Sequence, residues 1–200
     1  MNLDAHLSPT AFTRGPIAVT PTDIAQFVRL DQCRRFLRLR LCELREGNAF
    51  LRTAGVAPQE APPLLTRSGV DFEDDAVAQL RAKLPSDSFD SDTRQAEGRS
   101  DDNACAVDAA VALAPGETRC LLQPRLRVAL DGWLLTGDVD ILRLTRSVDG
   151  RLTALIADMK SSASSKVEHR LQVAFYHEML RTLFAEHGVS HDSIDLAILY

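Results

Sequence analysis

No apolar run in this 200-residue sequence approaches the roughly 20 residues needed to span a bilayer, and its N-terminus lacks a signal-peptide pattern. A cytoplasmic protein with no membrane partner is expected. Cysteine is sparse: Cys33, Cys42, Cys105 and Cys120 are scattered without C-x-x-C spacing, which gives no reason to expect a disulfide framework or a zinc site. Positive charge is not in excess either. With 23 Lys and Arg against 28 Asp and Glu, the net charge of −5 excludes a protein that grips nucleic acid by bulk basicity alone. It does not exclude an enzyme that gathers acidic side chains around a metal ion. The length suits one domain with a real core.

Met1 to Val19 reads as an irregular N-terminal segment, and residues 20–200 as the domain. Thr20-Pro21-Thr22-Asp23 is a helix start, followed by Ile24, Phe27, Val28, Leu30 and Leu37 at helical spacing. The pattern predicts that this helix continues through an arginine-rich stretch to Gly47 and Asn48. Its six arginines, Arg29, Arg34, Arg35, Arg38, Arg40 and Arg45, could meet phosphates, or form a solvated face balanced by Asp31, Glu43 and Glu46. Gly55 to Pro63 reads as a loop, and a second helix is predicted from near Gly69. Acidic residues load its first turns, so Glu73 has a plain alternative as a surface residue that complements the helix dipole. Pro85 to Asn103 is polar and acidic, the composition of a flexible insertion. Ala104 to Leu113 predicts a short helix, Val167 to His187 a longer one, and Ile194 to Tyr200 a closing strand. A strand at the last residue is a reason to expect that the natural chain continues.

The stretch from Leu130 to Lys160 carries the chemistry. Cys120 to Leu130 is predicted to pair with Trp133 to Leu144 through a tight turn at Asp131-Gly132, with Leu152 to Lys160 as the next strand. Asp138 and Asp140 interrupt one apolar run, and Asp158 ends another beside Met159 and Lys160. Alternation puts Asp158 and Lys160 on one side of their strand. Two carboxylates on neighbouring strands repel each other, and burying them unpaired is costly, so the pair calls for a hard divalent cation such as magnesium or manganese. An ammonium beside them can orient or deprotonate a water, or offset charge on a phosphate. The plain alternative is a surface hairpin with a solvated Asp-Lys pair. On the helix from Val167, Gln172 and Tyr176 share a face and can reach one ligand, or merely pack.

Gly137 to Asp140 (G-x-x-D), Asp158-Met159-Lys160 (D-x-K), Gln172 to Tyr176 (Q-x-x-x-Y) and Gly69 to Glu73 (G-x-x-x-E), in that arrangement, resemble the RecB-type branch of the PD-(D/E)XK nuclease superfamily. The resemblance runs from about Ile17 to Tyr200. It implies an α/β fold with a restriction-endonuclease-like core, a mixed central sheet flanked by helices. It also implies that Glu73, Asp140, Asp158 and the Met159 carbonyl bind magnesium or manganese, that Lys160 positions or activates the attacking water, and that Gln172 and Tyr176 meet the nucleic-acid backbone or steady the site. Both Asp138 and Asp140 would point to one face, and the motif's fourth position favours Asp140. Iron-sulfur members use a cysteine near the position of Cys33 with three more beyond the last strand. Those three are absent here, so a cluster is not expected in this chain; Cys33 is either the remnant of a cluster completed by a further tail or a core thiol, and the thiol is favoured. The expected activity is metal-dependent DNA cleavage in repair, recombination or defence, with a helicase or another nucleic-acid-processing domain as a possible partner. The alternative is a nuclease-like fold that only binds nucleic acid or protein within a larger assembly.

Overall fold

The computed structural model describes residues 16–53, 55, 63–85, 88–89, 101–162, 164 and 166–200. The loop expected from Gly55 to Pro63 and the insertion expected from Pro85 to Asn103 lie mostly outside these residues, as do residues 1–15. Within the described residues the chain is α/β, with two mixed sheets and flanking helices. No helix among them is long and apolar enough to cross a membrane.

The segment read as irregular up to Val19 ends in a short strand, β1 (Ala18–Val19). Helix α1 (Pro21–Arg29) starts on a capping box: Thr20 Oγ1 accepts from the Asp23 backbone N–H, and Asp23 accepts from the Thr20 backbone N–H. Such a cap is worth about 1 kcal/mol, and Pro21 at the first helical position loses nothing by lacking an N–H. The single helix expected here is two. Asp31 and Gln32 take φ of 51° and 55°, which turns the chain before α2 (Arg34–Glu46). Gly47 ends α2 at φ 63°, and α3 (Asn48–Thr53) follows at once. Helix α4 (Pro63–Lys83) begins six residues before Gly69, because Pro63 is suited to a first turn and a glycine inside a helix costs only about 1 kcal/mol. Then come α5 (Asn103–Ala112), β2 (Thr118–Leu122), β3 (Arg125–Leu130), β4 (Trp133–Asp138), β5 (Ile141–Arg146), β6 (Leu152–Met159), α6 (Val167–Glu186) and β7 (Ser193–Leu199).

The predicted hairpin is present, with Cys120 opposite Arg143 and Leu130 opposite Trp133, but each of its strands is bent once. Leu122 pairs with Ile141 and Arg125 with Asp138, so the register runs unbroken through the bend. The cause lies in Gln123-Pro124. Gln123 sits at φ 48° and Pro124 has no N–H to give to a ladder. Two hydrogen bonds hold the bend: Gln123 N–H to the Asp140 carbonyl and Val139 N–H to the Pro124 carbonyl, both 3.0 Å. Below it the strands belong to the sheet β1-β4-β3, above it to the sheet β2-β5-β6-β7. Asp140 stands at the crossing.

The four-stranded sheet is covered on both faces. Ala154 and Ile156 pack with Met179, Leu180, Leu183 and Phe184 of α6, while Ala157 and Met159 pack with Val77 of α4. That is why β6 reads as a nearly continuous apolar run instead of alternating. Asp158 lies at the end of its α6 side, where the apolar contacts run out.

Candidate active site

Asp158 is 3% exposed. Lys160 Nζ lies 2.8 Å from its Oδ2, close enough for the charges to attract, but the approach lacks hydrogen-bond geometry. This buried oxygen therefore accepts no hydrogen bond among the described residues. The ammonium offsets the charge of this oxygen, but no N–H or O–H of the described residues donates to it in line. The backbone around it is fixed: the Lys160 N–H donates to the Leu199 carbonyl at 2.9 Å, which ties the end of β6 to β7.

Asp140 Oδ2 accepts the Met159 N–H at 2.5 Å, so the carboxylate occupies a hydrogen-bonding position that a straight strand would give to a carbonyl. Its pKa is pushed up to about 7. The residue as a whole is only half-buried, yet burial of the carboxyl is the largest cause, and the neighbouring Asp158 charge is the next. The Met159 N–H and Lys160 pull it down, while Glu73 adds a small upward push. The two carboxylates thus resist being charged together.

The expectation that Asp138 and Asp140 share one face of one strand is corrected by the bend between them. Asp138 is held by a two-pronged ion pair from Arg125, Nε to Oδ1 at 2.8 Å and Nη2 to Oδ2 at 2.9 Å. Asp140 is the member that faces Asp158 and Lys160. Glu73 stands on α4, half-buried, and its Oε2 accepts from Gln123 Nε2 at 3.0 Å. Among the described residues no group of three His, Cys, Asp or Glu side chains is gathered to hold a metal ion. Asp140 and Asp158 come together with Lys160. Glu73 is near enough to raise the pKa of Asp140 without joining them.

Tyr176 is buried, and its hydroxyl donates to the Asp138 carbonyl at 2.7 Å. A Cβ on Gly137 would lie 2.8 Å from Tyr176 Cε1 and 3.0 Å from Pro21 Cδ, so glycine is required for close packing and not for its φ. The glycine of G-x-x-D, the tyrosine of Q-x-x-x-Y and the start of α1 therefore interlock, and they set where the chain reaches Asp140. Burial raises the Tyr176 pKa, which keeps the phenol protonated. Gln172, one turn earlier, is half-buried, and its side chain makes no hydrogen bond among the described residues. The Met159 side chain points away among Val77, Leu122 and Ile141.

Two residues at the site escaped the sequence reading. Gln123 holds Glu73, and its signal was the Gln-Pro break inside an alternating run. His169 on α6 is 8% exposed, with Nδ1 3.4 Å from the Tyr200 hydroxyl. Burial lowers its pKa, and so does the Lys160 charge. It lies three and seven residues before Gln172 and Tyr176, the spacing of one helix face. Cys33, read as a core thiol, is instead exposed as the N-cap of α2, because the α1–α2 turn places it on the outside of a corner.

The pair Asp140 and Asp158 fits a hard divalent cation. Magnesium is commonly bound by one or two carboxylates, with waters and substrate phosphate filling the other positions. A buried carboxylate oxygen without a hydrogen bond is the kind of atom such an ion satisfies. No protein-family model matches the chain, and no curated protein matches it. Among solved proteins, the crystal structure of SSO0001 is similar at 11% identity and a TM-score of 0.27, covering 90% of this chain and 63% of that one. This chain therefore spans less than two thirds of that protein, and a likeness of this degree carries no argument about function.

Proposed function

We propose that the chain is a divalent-metal-dependent nuclease that hydrolyses phosphodiester bonds in DNA, at ends or in single strands. The observation that carries this reading is the nearness of two repelling carboxylates, one of them almost fully buried with an oxygen that the Lys160 ammonium approaches but no donor of the described residues hydrogen-bonds. A surface hairpin has no use for that arrangement, because exposed carboxylates avoid its cost. In this reading Asp140 and Asp158 hold magnesium or manganese, with the Met159 carbonyl and Glu73 completing the set when substrate is bound. The ion supplies positive charge against the growing charge on the phosphate oxygens. Lys160, an ammonium beside Asp158, orients the attacking water, whose proton passes to solvent as its oxygen attacks. The water oxygen bonds to phosphorus, the ester P–O bond breaks, and the departing oxygen is protonated from solvent. Gln172 is available for the nucleic-acid backbone. Tyr176, committed to the Asp138 carbonyl, positions the site instead of touching substrate. Repair, recombination or defence is the setting we infer, with a helicase-type partner.

One observation favours a second reading, a nuclease-like fold that binds nucleic acid or protein without cutting: Glu73 does not join the two aspartates in a metal-holding group. Labelled single- and double-stranded DNA incubated with magnesium, manganese or a chelator separates the two. The nuclease cleaves with either metal, stops with chelator and is lost in Asp158→Ala. Retained DNA binding with no cleavage under any of these conditions would establish the binding module.

A further inference from the structure

The six arginines between Arg29 and Arg45 fall into two sets. Arg40 sends Nε to the buried Asp23 at 2.6 Å and Nη1 to Glu43 at 2.9 Å, and Arg45 Nη2 reaches Glu46 at 2.8 Å. Arg29, Arg34, Arg35 and Arg38 make no ion pair among the described residues. Three of these four are exposed and Arg38 is half-exposed. They flank the corner where α1 ends at Arg29, Asp31 and Gln32 turn the chain, and α2 begins at Arg34. Arg38 follows Arg34 by four residues and Arg35 by three, so these guanidinium groups are neighbours on the helix. Asp31 is the one acid in the sequence from Ile24 to Cys42.

This placement works against the helix that carries it. Like charges three and four residues apart repel each other, and positive charge in a first turn opposes the helix dipole. The first turn of α2 holds no acid, and Cys33 provides no side-chain cap to its N–H groups. Arg45, in the last turn, sits where the dipole favours it. A chain of net charge −5 has acids enough to neutralise four arginines, as it does for Arg40 and Arg45, but among the described residues Asp31 alone stands at this corner and it makes no ion pair with them.

We propose that this corner is an anchor for the phosphate backbone of a polynucleotide, outside the carboxylate site. It rests on the proposed function in taking nucleic acid as the ligand, but not on cleavage. Guanidinium groups bind phosphates through paired N–H donors, which suits them to the task. Among the described residues no exposed aromatic ring stands at the corner for base stacking, Phe27 and Phe36 being half-buried, so recognition there is of backbone and independent of sequence. The corner is in reach of the site. Pro21, which packs on Gly137, and Arg29 are the two ends of α1, about 12 Å apart at 1.5 Å per residue. A strand of a few nucleotides is long enough to cover that distance.

The test measures binding of labelled single-stranded and duplex oligonucleotides by fluorescence anisotropy in chelator, across a salt series. The double variant Arg34→Gln/Arg35→Gln is compared with Arg151→Gln/Arg181→Gln, which removes the same charge from exposed arginines elsewhere. In the corner variant, affinity falls and the slope of log K against log salt drops by about 1.4 for single strands and about 1.8 for duplex, at roughly 0.7 and 0.9 per lost contact. The control keeps the wild-type slope. Single variants Arg29→Gln and Arg38→Gln lose about half as much each, a check that does not depend on how the double variant folds. Unchanged slopes, equal losses in corner and control variants, or no oligonucleotide binding by the wild type would overturn the anchor. So would poly-glutamate binding that the corner variants abolish while oligonucleotide affinity stays the same, since the partner would then be an acidic protein. Binding through the corner without cleavage in magnesium or manganese would overturn the nuclease reading and leave the anchor standing.

Discussion

Asp138 and Asp140 are two residues apart, on either side of the bend, and the fold treats them in opposite ways. Asp138, below the bend, is partly exposed and gripped by both prongs of Arg125. Asp140, above it, has one backbone N–H, a buried carboxylate neighbour and a pKa near 7. An exposed ion pair is worth little to stability and costs little to keep. A carboxyl buried near another opposes folding whenever both are charged. The lower half of the hairpin thus behaves as scaffold. The upper half keeps an unfavourable arrangement, which the cation of the proposed function would relieve.

The largest way to break this contrast is through Lys160. If it acts on the attacking water, Lys160→Ala lowers single-turnover cleavage by about 10²–10⁴ with DNA affinity nearly unchanged, and Lys160→Arg does not restore the rate. Wild-type cleavage by the alanine variant would reduce Lys160 to a surface charge. The next effect is on stability. Asp140 in the folded state holds its proton to about pH 7, whereas the unfolded chain loses it near the ordinary carboxyl value of 3.8. Between those values the native state binds more protons, so its stability, in metal-free protein, falls as pH rises from about 4 through about 7. Asp140→Asn removes that fall and is more stable than wild type at pH 8 by a few kcal/mol, on the order of 1.4 kcal/mol per pKa unit. Magnesium stabilises the wild type and not the variant. Urea unfolding at pH 5 and pH 8, in chelator and in magnesium, reads both effects. Parallel pH curves for the two proteins would sink the assignment.

Gly137→Ala sharpens the comparison from the packing side. The added methyl meets a phenol ring and a proline ring, neither of which can swing away, so overpacking costs about 1–3 kcal/mol. It also displaces the backbone that leads to Asp140, and cleavage falls with stability. A wild-type melting temperature would show that the ring of Tyr176 moves freely.

The local signals in the sequence were accurate where chemistry is local. Thr20 to Asp23 marked a helix start, which is a capping box in the structure, Asp131-Gly132 marked a tight turn, where both residues take positive φ, and Val167 onward a helix. Asp158 and Lys160 were placed together by strand alternation alone, and they meet at 2.8 Å. The bend was not legible, because alternation assumes a straight strand and the effect of Gln123-Pro124 depends on how its partner strand responds. For that reason alternation could not tell Asp138 from Asp140, and only the motif's fourth position favoured Asp140. Asp31 and Gln32 likewise break a helix that every apolar position from Ile24 to Leu37 supports, and no glycine or proline marks the spot. The role of Tyr176 is tertiary. Its hydroxyl reaches a carbonyl 38 residues away in the chain, which spacing within one helix cannot show.

The smallest effect expected is that of Asp138→Asn, and it is the most selective. Arg125 and Asp138 are each more than a third exposed on their side chains, so water screens the pair and its loss costs at most about 1 kcal/mol. The two-pronged geometry puts the value toward the upper part of that range. The backbone carbonyl of Asp138, which Tyr176 holds, is untouched by the substitution, so the approach to Asp140 is preserved. Turnover should therefore match wild type. The stability cost should shrink in high salt, and a double-mutant cycle with Arg125→Gln should return a coupling of the same small size. If Asp138→Asn instead lost cleavage as fully as Asp140→Asn, the two carboxylates would share one site, and the bend would not separate scaffold from chemistry.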